Sequence, residues 1–328
     1  MLFASASDPF AILLLALVFD LAFGDMAIVF RLLPHPVAVV GYGVDYLDKR
    51  LNRIARSDRA RQWRGAVTVA VLVGGAVALG WLVTEYLRFV HYGWLFEGLL
   101  VAVLLAQRSL FEHVAAVAKG LQTGGLAAGR QAVAKIVGRD PDSLDEHGVV
   151  RAAIEALFEN FSNGVIAPAF WYLLLGLPGI FACKTASTLD SMIGHRTPRY
   201  LDFGWTAARF DDGLNWIPAR LTGLIVCVAA LFSPGAKSLG ALRIMLKDAK
   251  KHRSPNAGWP EAAAAGALGL ALSGPHRYGN ATLDEPWLGD GRARAAVADI
   301  GAALQLFAAA AACFAVLLLI GVGARQYL

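Results

Sequence analysis

The sequence predicts an all-α, polytopic integral membrane protein with about four to six membrane helices. Three observations carry that expectation. Of 328 residues, 57% are hydrophobic and 17% charged, with a mean hydropathy of +0.52; soluble domains run nearer about 45–50% apolar and about 25% charged. The apolar residues are gathered into blocks. Stretches 65–84 and 300–324 hold no charge and reach the ~20 residues a helix needs to cross a hydrocarbon core. The positive charge behind the net +5 is also gathered, with seven basic residues from Lys49 to Arg64 and six from Lys237 to Arg253, opposed in the second run only by Asp248. Short basic loops stay cytoplasmic, so both runs mark one face, where contact with lipid headgroups and attraction of an anionic substrate are both open readings. No nucleic-acid-binding module or base-stacking pattern accompanies the charge, and no nucleic-acid partner is expected.

Hydropathy and helix signals place helices at 9–31, 65–90, 93–112, 164–183, 214–234 and 296–324, with a shorter apolar helix at 260–273. The first has no Lys or Arg before Pro9 and no small-residue cleavage site after it, which reads as a retained helix and not a secretory signal. Asp20 and Asp25 lie within it or just after it. The second and third form a hairpin with its tip near His91-Tyr-Gly93. That returns 113–160 to the cytoplasm as an amphipathic helical region, broken by a turn at Gly138-Arg-Asp-Pro141 and resumed at Asp145 as a helix cap, ending near Asn160.

Segment 164–183 is uncharged but holds Pro168, Gly176, Pro178 and Gly179, residues typical of broken or re-entrant membrane helices. If it crosses fully, 184–212 faces outside. If it and 214–234 both stop short of spanning, every polar stretch shares the cytoplasmic side, the arrangement favoured here. Without tandem repeats or low-complexity linkers, the chain reads as one domain over 1–328, with 184–212 and 237–259 as candidate active-site loops. Cys183, Cys227 and Cys313 sit far apart in apolar runs and offer neither metal spacing nor a disulfide framework.

Chemistry is expected first in 184–212. Between two uncharged runs it carries Lys184, Asp190, His195, Arg196, Arg199, Asp202, Arg209, Asp211 and Asp212. Desolvating such groups beside a bilayer costs several kcal/mol unless they pair or bind something. Asp190 stands on a Thr/Ser-flanked turn as a metal ligand or a helix cap. Of Asp211 and Asp212, about 100° apart on a helix, one suits a metal while the other pairs with Arg209 or Arg220; a structural ion pair for both is the alternative. Glu155 and Glu159 share a helical face, which suits a metal, a paired acid–base site or a solvated surface. Asp25 with His35 forms a further polar cluster or a capped, buried connection.

His195, Arg196 and Arg199 form the clearest phosphate-binding group, because guanidinium forks match phosphate oxygens. Lys250, Lys251 and Arg253 lead into Ser254-Pro-Asn256 as a second such group or as a topogenic run. The loop set by Pro255, Gly258 and Pro260 presents Asn256 and Glu261, and Glu261 also suits the positive end of the helix it opens. Neither a G-x-x-x-x-G-K-[ST] loop nor a dinucleotide fingerprint is present, so any nucleotide site must take another form.

A series of short motifs occurs in a fixed order: Gly24-Asp25, Leu33-Pro-His-Pro-Val37 with Gly41, Arg108-Ser-Leu110, and Ile136-Val-Gly-Arg-Asp140 with Leu144-Asp145. Glu155, Glu159-Asn160, Gly164-Val-Ile-Ala-Pro168 and Thr188-Leu-Asp-Ser-Met-Ile-Gly194 follow. Then come Asp202-Phe-Gly-Trp205, Arg209-Phe-Asp-Asp212, Asn215-Trp-Ile-Pro-Ala-Arg220 and Ser254-Pro-Asn-Ala-Gly-Trp-Pro-Glu-Ala262, ending at Gly274-Pro275. Across 15–280 this order resembles the CobD/CbiB family of cobalamin biosynthesis, the membrane-bound adenosylcobinamide-phosphate synthases. Met26 stands where that family commonly has proline, Asn163 where an aspartate precedes the glycine, and Ser187 where an asparagine precedes Thr-Leu-Asp.

The resemblance implies an ATP-dependent ligase that joins the free propionate of adenosylcobyric acid to (R)-1-amino-2-propanol or its O-phosphate. Mg²⁺ and ATP are then required, and the corrinoid is substrate, since no feature asks for a protein ligand to cobalt. Against that chemistry, Glu159, Asp190, Asp211 and Asp212 are the candidate catalytic residues and Asp190, Glu159 and Asp25 the candidate metal ligands. His35, Asn160, His195, Arg196, Arg199, Arg209, Arg220, Lys250, Asn256 and Glu261 are the candidate substrate and phosphate contacts. Trp205, Trp216 and Trp259 suit the broad apolar corrin or the bilayer interface. The expected location is the inner (cytoplasmic) membrane with the site facing the cytoplasm, as a homo-oligomer or beside other membrane enzymes of the pathway. A corrinoid transporter or a non-catalytic scaffold, the latter motivated by Asn163, is the alternative.

Overall fold

A computed structural model describes residues 8–24, 35–138, 140–278 and 281–325. The described residues are overwhelmingly helical, as an all-α membrane architecture requires. Three helical stretches, Asp58–Arg88, Gly93–Val133 and Val297–Arg325, are long and apolar enough to cross a membrane, and Pro9–Phe23 is a shorter apolar helix. The chain divides into two compact units. One comprises Met1–Leu105, Ala167–Asn215 and Val322–Leu328, the other Ala106–Ile166 and Trp216–Gly321.

The first unit contains α1 (Pro9–Phe23), α2 (Pro36–Leu51), α3 (Asp58–Arg88), α4 (Gly93–Leu104), α7 (Ala167–Leu175), α8 (Leu177–Ile193) and the start of α9 (Trp205–Ala229). Helix starts follow the expected chemistry. Asp8 caps α1 by accepting from the Phe10 N–H at 2.9 Å, and His35 Nδ1 caps α2 by accepting from Val37 at 3.2 Å. Proline follows each cap at the first helical position, where its missing N–H is harmless. The first helix stops at Phe23 and not at 31, because Gly24 leaves helical geometry at φ 60°.

Segment 164–183 is not one helix. Gly176 adopts φ 66°, a region that L side chains avoid, and so separates α7 from α8. Helix α8 then runs on to Ile193, so 184–193 of the polar stretch read as a loop is helical, as is its end from Trp205 in α9. The cause is tertiary: Leu189 and Ile193, one turn apart, pack into a core with Val44 of α2, Val69 of α3, and Phe203 and Ala207. Each fully buried Leu, Ile or Phe contributes about 1.5–3 kcal/mol, enough to extend the helix. Where α3 passes this core, Gly65 lies so close to the Phe203 carbonyl that a Cβ would overlap it.

The second unit holds α5 (Gln107–Val133), α6 (Glu146–Phe161), a π-helical turn at Ser162–Ile166, the rest of α9, α10 (Ser238–Asp248), α11 (Gly258–Leu268) and most of α12 (Val297–Arg325). Asp145 caps α6 as the sequence predicts, accepting from Gly148 N–H at 2.7 Å. Helices α6 and α11 form its centre: Val149–Phe158 of α6 and Ala262–Ala265 of α11 are almost wholly buried, apart from half-buried Arg151. Two short antiparallel pairs, β1 (Leu272–Ser273) with β4 (Trp287–Leu288) and β2 (His276–Tyr278) with β3 (Ala281–Leu283), precede α12. The basic run 237–253, expected as a loop, is helical from Ser238, because Ala241, Ile244 and Met245 give α10 a buried face.

Candidate active site

The polar groups of the first unit converge where α8 ends. On its last turn, Leu189 and Ile193 face the core while Asp190 takes the other side. Asp190 is therefore helical and does not sit on a turn as the sequence suggested. Gly194 donates its N–H to the Asp190 carbonyl at 2.8 Å, and only the absence of a Cβ there leaves room for the Asp190 carboxylate. The chain then forms the segment 194–204, in which His195, Arg196, Thr197, Pro198 and Arg199 are exposed. Helix α9 returns with Arg209 and Asp212, whose Nη1 and Oδ2 lie 4.0 Å apart.

Electrostatics join these residues. Burial pushes the Asp190 carboxyl above the ordinary carboxylate range, the Asp212 charge adds to the rise, and His195 opposes it. Asp212 is pushed up too, again chiefly by burial, against the opposing pull of Arg209 and Arg196. Five predicted residues are thus brought together: Asp190, His195, Arg196, Arg209 and Asp212. Asp211 adjoins them, its carbonyl accepting from Asn215 Nδ2 at 3.0 Å, and its charge is felt by Cys183 of α8. The Asn215 Oδ1 is buried with no hydrogen-bond partner among the described residues.

Asp190 and Asp212 are the two carboxylates of this set that could hold a divalent cation. Among the described residues, no three His, Cys, Asp or Glu side chains are grouped to hold a metal alone. Mg²⁺ needs only one or two carboxylates, its other positions being filled by water and phosphate oxygens. Two carboxylates whose charged forms are disfavoured by burial, with guanidiniums near them, are compatible with that demand.

Arg199 has a different setting from its neighbours. Its Nη2 donates to Asp48 Oδ2 at 2.5 Å, and its guanidinium lies 5.5 Å from the Tyr200 ring centroid. The bond to Asp48 keeps it more firmly protonated than usual. His35 spends Nδ1 on capping α2, and its expected companion Asp25 lies outside the described residues.

The remaining predicted residues lie in the second unit. Glu159 is half-buried on α6. Glu155, one turn earlier, is buried and accepts from the Ser273 N–H at 2.8 Å. The Asn160 Nδ2 donates to the Ala156 carbonyl of its own helix at 2.8 Å. Arg220 stacks between Trp216 and Trp259, 4.0 and 4.5 Å from their ring centroids, a geometry that supplies cation–π attraction. Lys250 is exposed on a 3₁₀ turn. Asn256 and Glu261, expected to be presented from a loop, are both buried, and Glu261 faces His252 at 3.7 Å. Trp205 is exposed in the first unit.

Sequence reasoning singled out none of Asp48, Asn52, Arg61, Asn215 and His252 as a site residue, and named Asp202 only as part of the charged stretch and of one motif. For Asp48 a signal existed: it stands one turn after Val44, on the apolar face of α2. Arg61 gave none, being one of seven basic residues in a run.

These features define an all-α membrane protein with a carboxylate–guanidinium–imidazole cluster at a helix end. The chain belongs to the CobD/Cbib protein family, whose description matches residues 13–307. It is 49% identical over 308 residues to the cobalamin biosynthesis protein CobD of Rhizobium meliloti (strain 1021), covering 93% of this chain and 94% of that one. The protein of the same description from Brucella melitensis biotype 1 is 48% identical over 90% of this chain and 91% of its own. That from Rhodobacter capsulatus is 46% identical over 90% and 92%. No solved structure matches the chain.

Proposed function

We propose that this protein acts in cobalamin biosynthesis as an ATP-dependent ligase, joining the free propionate of adenosylcobyric acid to (R)-1-amino-2-propanol or its O-phosphate. The observation that carries the reading is the Asp190–Asp212 pair, raised by burial and set among His195, Arg196 and Arg209, in a chain of this family. In this reading the propionate oxygen takes the γ-phosphoryl group of ATP, releasing ADP. The amine nitrogen then attacks the acyl carbon, forming the C–N bond while the C–O bond breaks and inorganic phosphate leaves. Asp190 and Asp212 would hold Mg²⁺, whose charge would neutralise that of the phosphates. Arg196 and Arg209 clasp phosphate oxygens, where forked N–H donors are strongest. His195 accepts the proton shed by the attacking amine. The half-buried setting of Asp190 and Asp212 strengthens their contacts relative to water.

The test is to incubate the detergent-purified protein with adenosylcobyric acid, ATP and Mg²⁺, adding each amine separately, and to follow corrinoid mass. An ATP-dependent gain of one amide is expected and names the amine. No gain with either amine, beside an active relative, would overturn the reading.

A further inference from the structure

We propose that Arg61, acting with Asp48 and Asn52, is the positioning group that presents Arg196 to a nucleotide phosphate; the inference rests on the function proposed above. Of the seven basic residues from Lys49 to Arg64, Arg61 alone is buried, at 5% exposure. A charge that served only membrane topology would stay in water, because burying a guanidinium is unfavourable unless it is paired and fully hydrogen-bonded. Arg61 meets both conditions through the loop after α8 and the end of α2. It donates to the carbonyls of Pro198 and Arg199, to Asn52 Oδ1 at 3.3 Å and to Asp202 Oδ2 at 3.4 Å.

Two further residues complete the clamp. Asn52 Nδ2 donates to Asp48 Oδ1 at 2.8 Å and to the Arg199 carbonyl at 3.1 Å. Asp48 in turn takes the Arg199 guanidinium. The Arg199 carbonyl is thus held by two buried side chains and its guanidinium by a third. Inside the loop, Thr197 accepts from Tyr200 and Leu201 N–H groups at 2.9 and 2.8 Å, closing it on itself.

The charges balance: Arg61 and Arg199 face Asp48 and Asp202. The clamp therefore adds no net charge, and the exposed Arg196 just ahead of it remains for an anion. Four acceptors in different directions need the planar fork of arginine, which a lysine ammonium cannot supply. Removing the fork loosens the loop without removing any group that would touch the phosphate.

The test measures Mg·ATP affinity by calorimetry on the full-length protein in detergent, with amide formation followed in parallel. Arg61→Lys is expected to weaken Kd about tenfold through lost positioning. In an Arg196→Ala background the same change is expected to add less than about twofold, since both act through one contact. A wild-type Kd for Arg61→Lys, or effects that multiply in the double variant, would overturn the inference. Should Arg61→Lys not fold, Asp202→Asn loosens the same clamp from its half-exposed side and is held to the same criteria. A wild type that binds Mg·ATP but forms no amide refutes the proposed reaction alone; one that binds no Mg·ATP overturns the clamp as well.

Discussion

Asp48 on α2 accepts a 2.5 Å hydrogen bond from Arg199, 151 positions later, and thereby ties the loop that follows α8 to the helix preceding α3. The two neighbouring arginines of that loop consequently have different duties. Arg199→Ala leaves the buried Asp48 without its cation and is expected to cost about 1–3 kcal/mol of stability. Arg196→Ala should leave the detergent melting temperature unchanged while weakening nucleotide binding. Thermal unfolding of both variants separates the roles; equal melting temperatures would contradict them.

Close packing at Gly65 supplies a second expectation. A methyl group there meets the Phe203 carbonyl, whereas one at Gly74 on the same helix meets nothing within 4 Å. Overpacking costs about 1–3 kcal/mol, so Gly65→Ala should lower the melting temperature by several degrees. Gly74→Ala should leave it unchanged or raise it, as alanine favours helices. Equal behaviour of the two would place the α3–Phe203 contact in doubt.

The raised Asp190 and Asp212 carboxyls make stability depend on pH in a defined sense. The native state holds their protons more tightly than the unfolded chain does. Their stabilising contribution is therefore fully present below the ordinary carboxylate value and lost as pH rises through the raised one. Without Mg²⁺, melting temperature should fall across that window. Added Mg²⁺ should restore more stability above the window than below it, and Asp190→Asn should abolish that difference. A Mg²⁺ response equal at both ends would argue against a cation between these carboxylates.

Orientation is checked with a cysteine at Thr197, which is exposed in the loop beside His195 and Arg196. Of the native cysteines, Cys183 and Cys227 are buried and Cys313 half-buried, so background labelling is low. A membrane-impermeant thiol reagent should miss Thr197→Cys in intact cells and label it in inverted vesicles. The reverse pattern would place the loop outside.

Local chemistry made some of this architecture legible. The Asp145 cap, the break at Gly176 and the long helices α3 and α12 follow from capping, glycine and hydropathy signals that act within a few residues. Helix α10 was hidden because it lies within the basic run, where Arg243, Lys247 and the lysines after it drew the reading of a loop, while Ala241, Ile244 and Met245 give it a buried face. Asp190 read as a turn residue because Thr, Ser and Gly surround it, yet Leu189 and Ile193 extend the helix through contacts with α2 and α3. Five of the candidate site residues lie on one stretch, Asp190 to Asp212, from the end of α8 to the start of α9. The loop that carries His195 and Arg196 is tied to Asn52 and Arg61, and a pairing across about 140 residues leaves no local trace.

The most direct test of the account is the rate of corrinoid amide formation by Asp190→Asn beside the wild type, with melting temperature recorded for both. The account predicts at least about a tenfold loss of turnover, roughly 1.4 kcal/mol of transition-state stabilisation, in a protein that still folds in detergent. Near-normal turnover in the folded variant would contradict it and remove Asp190 from the chemistry.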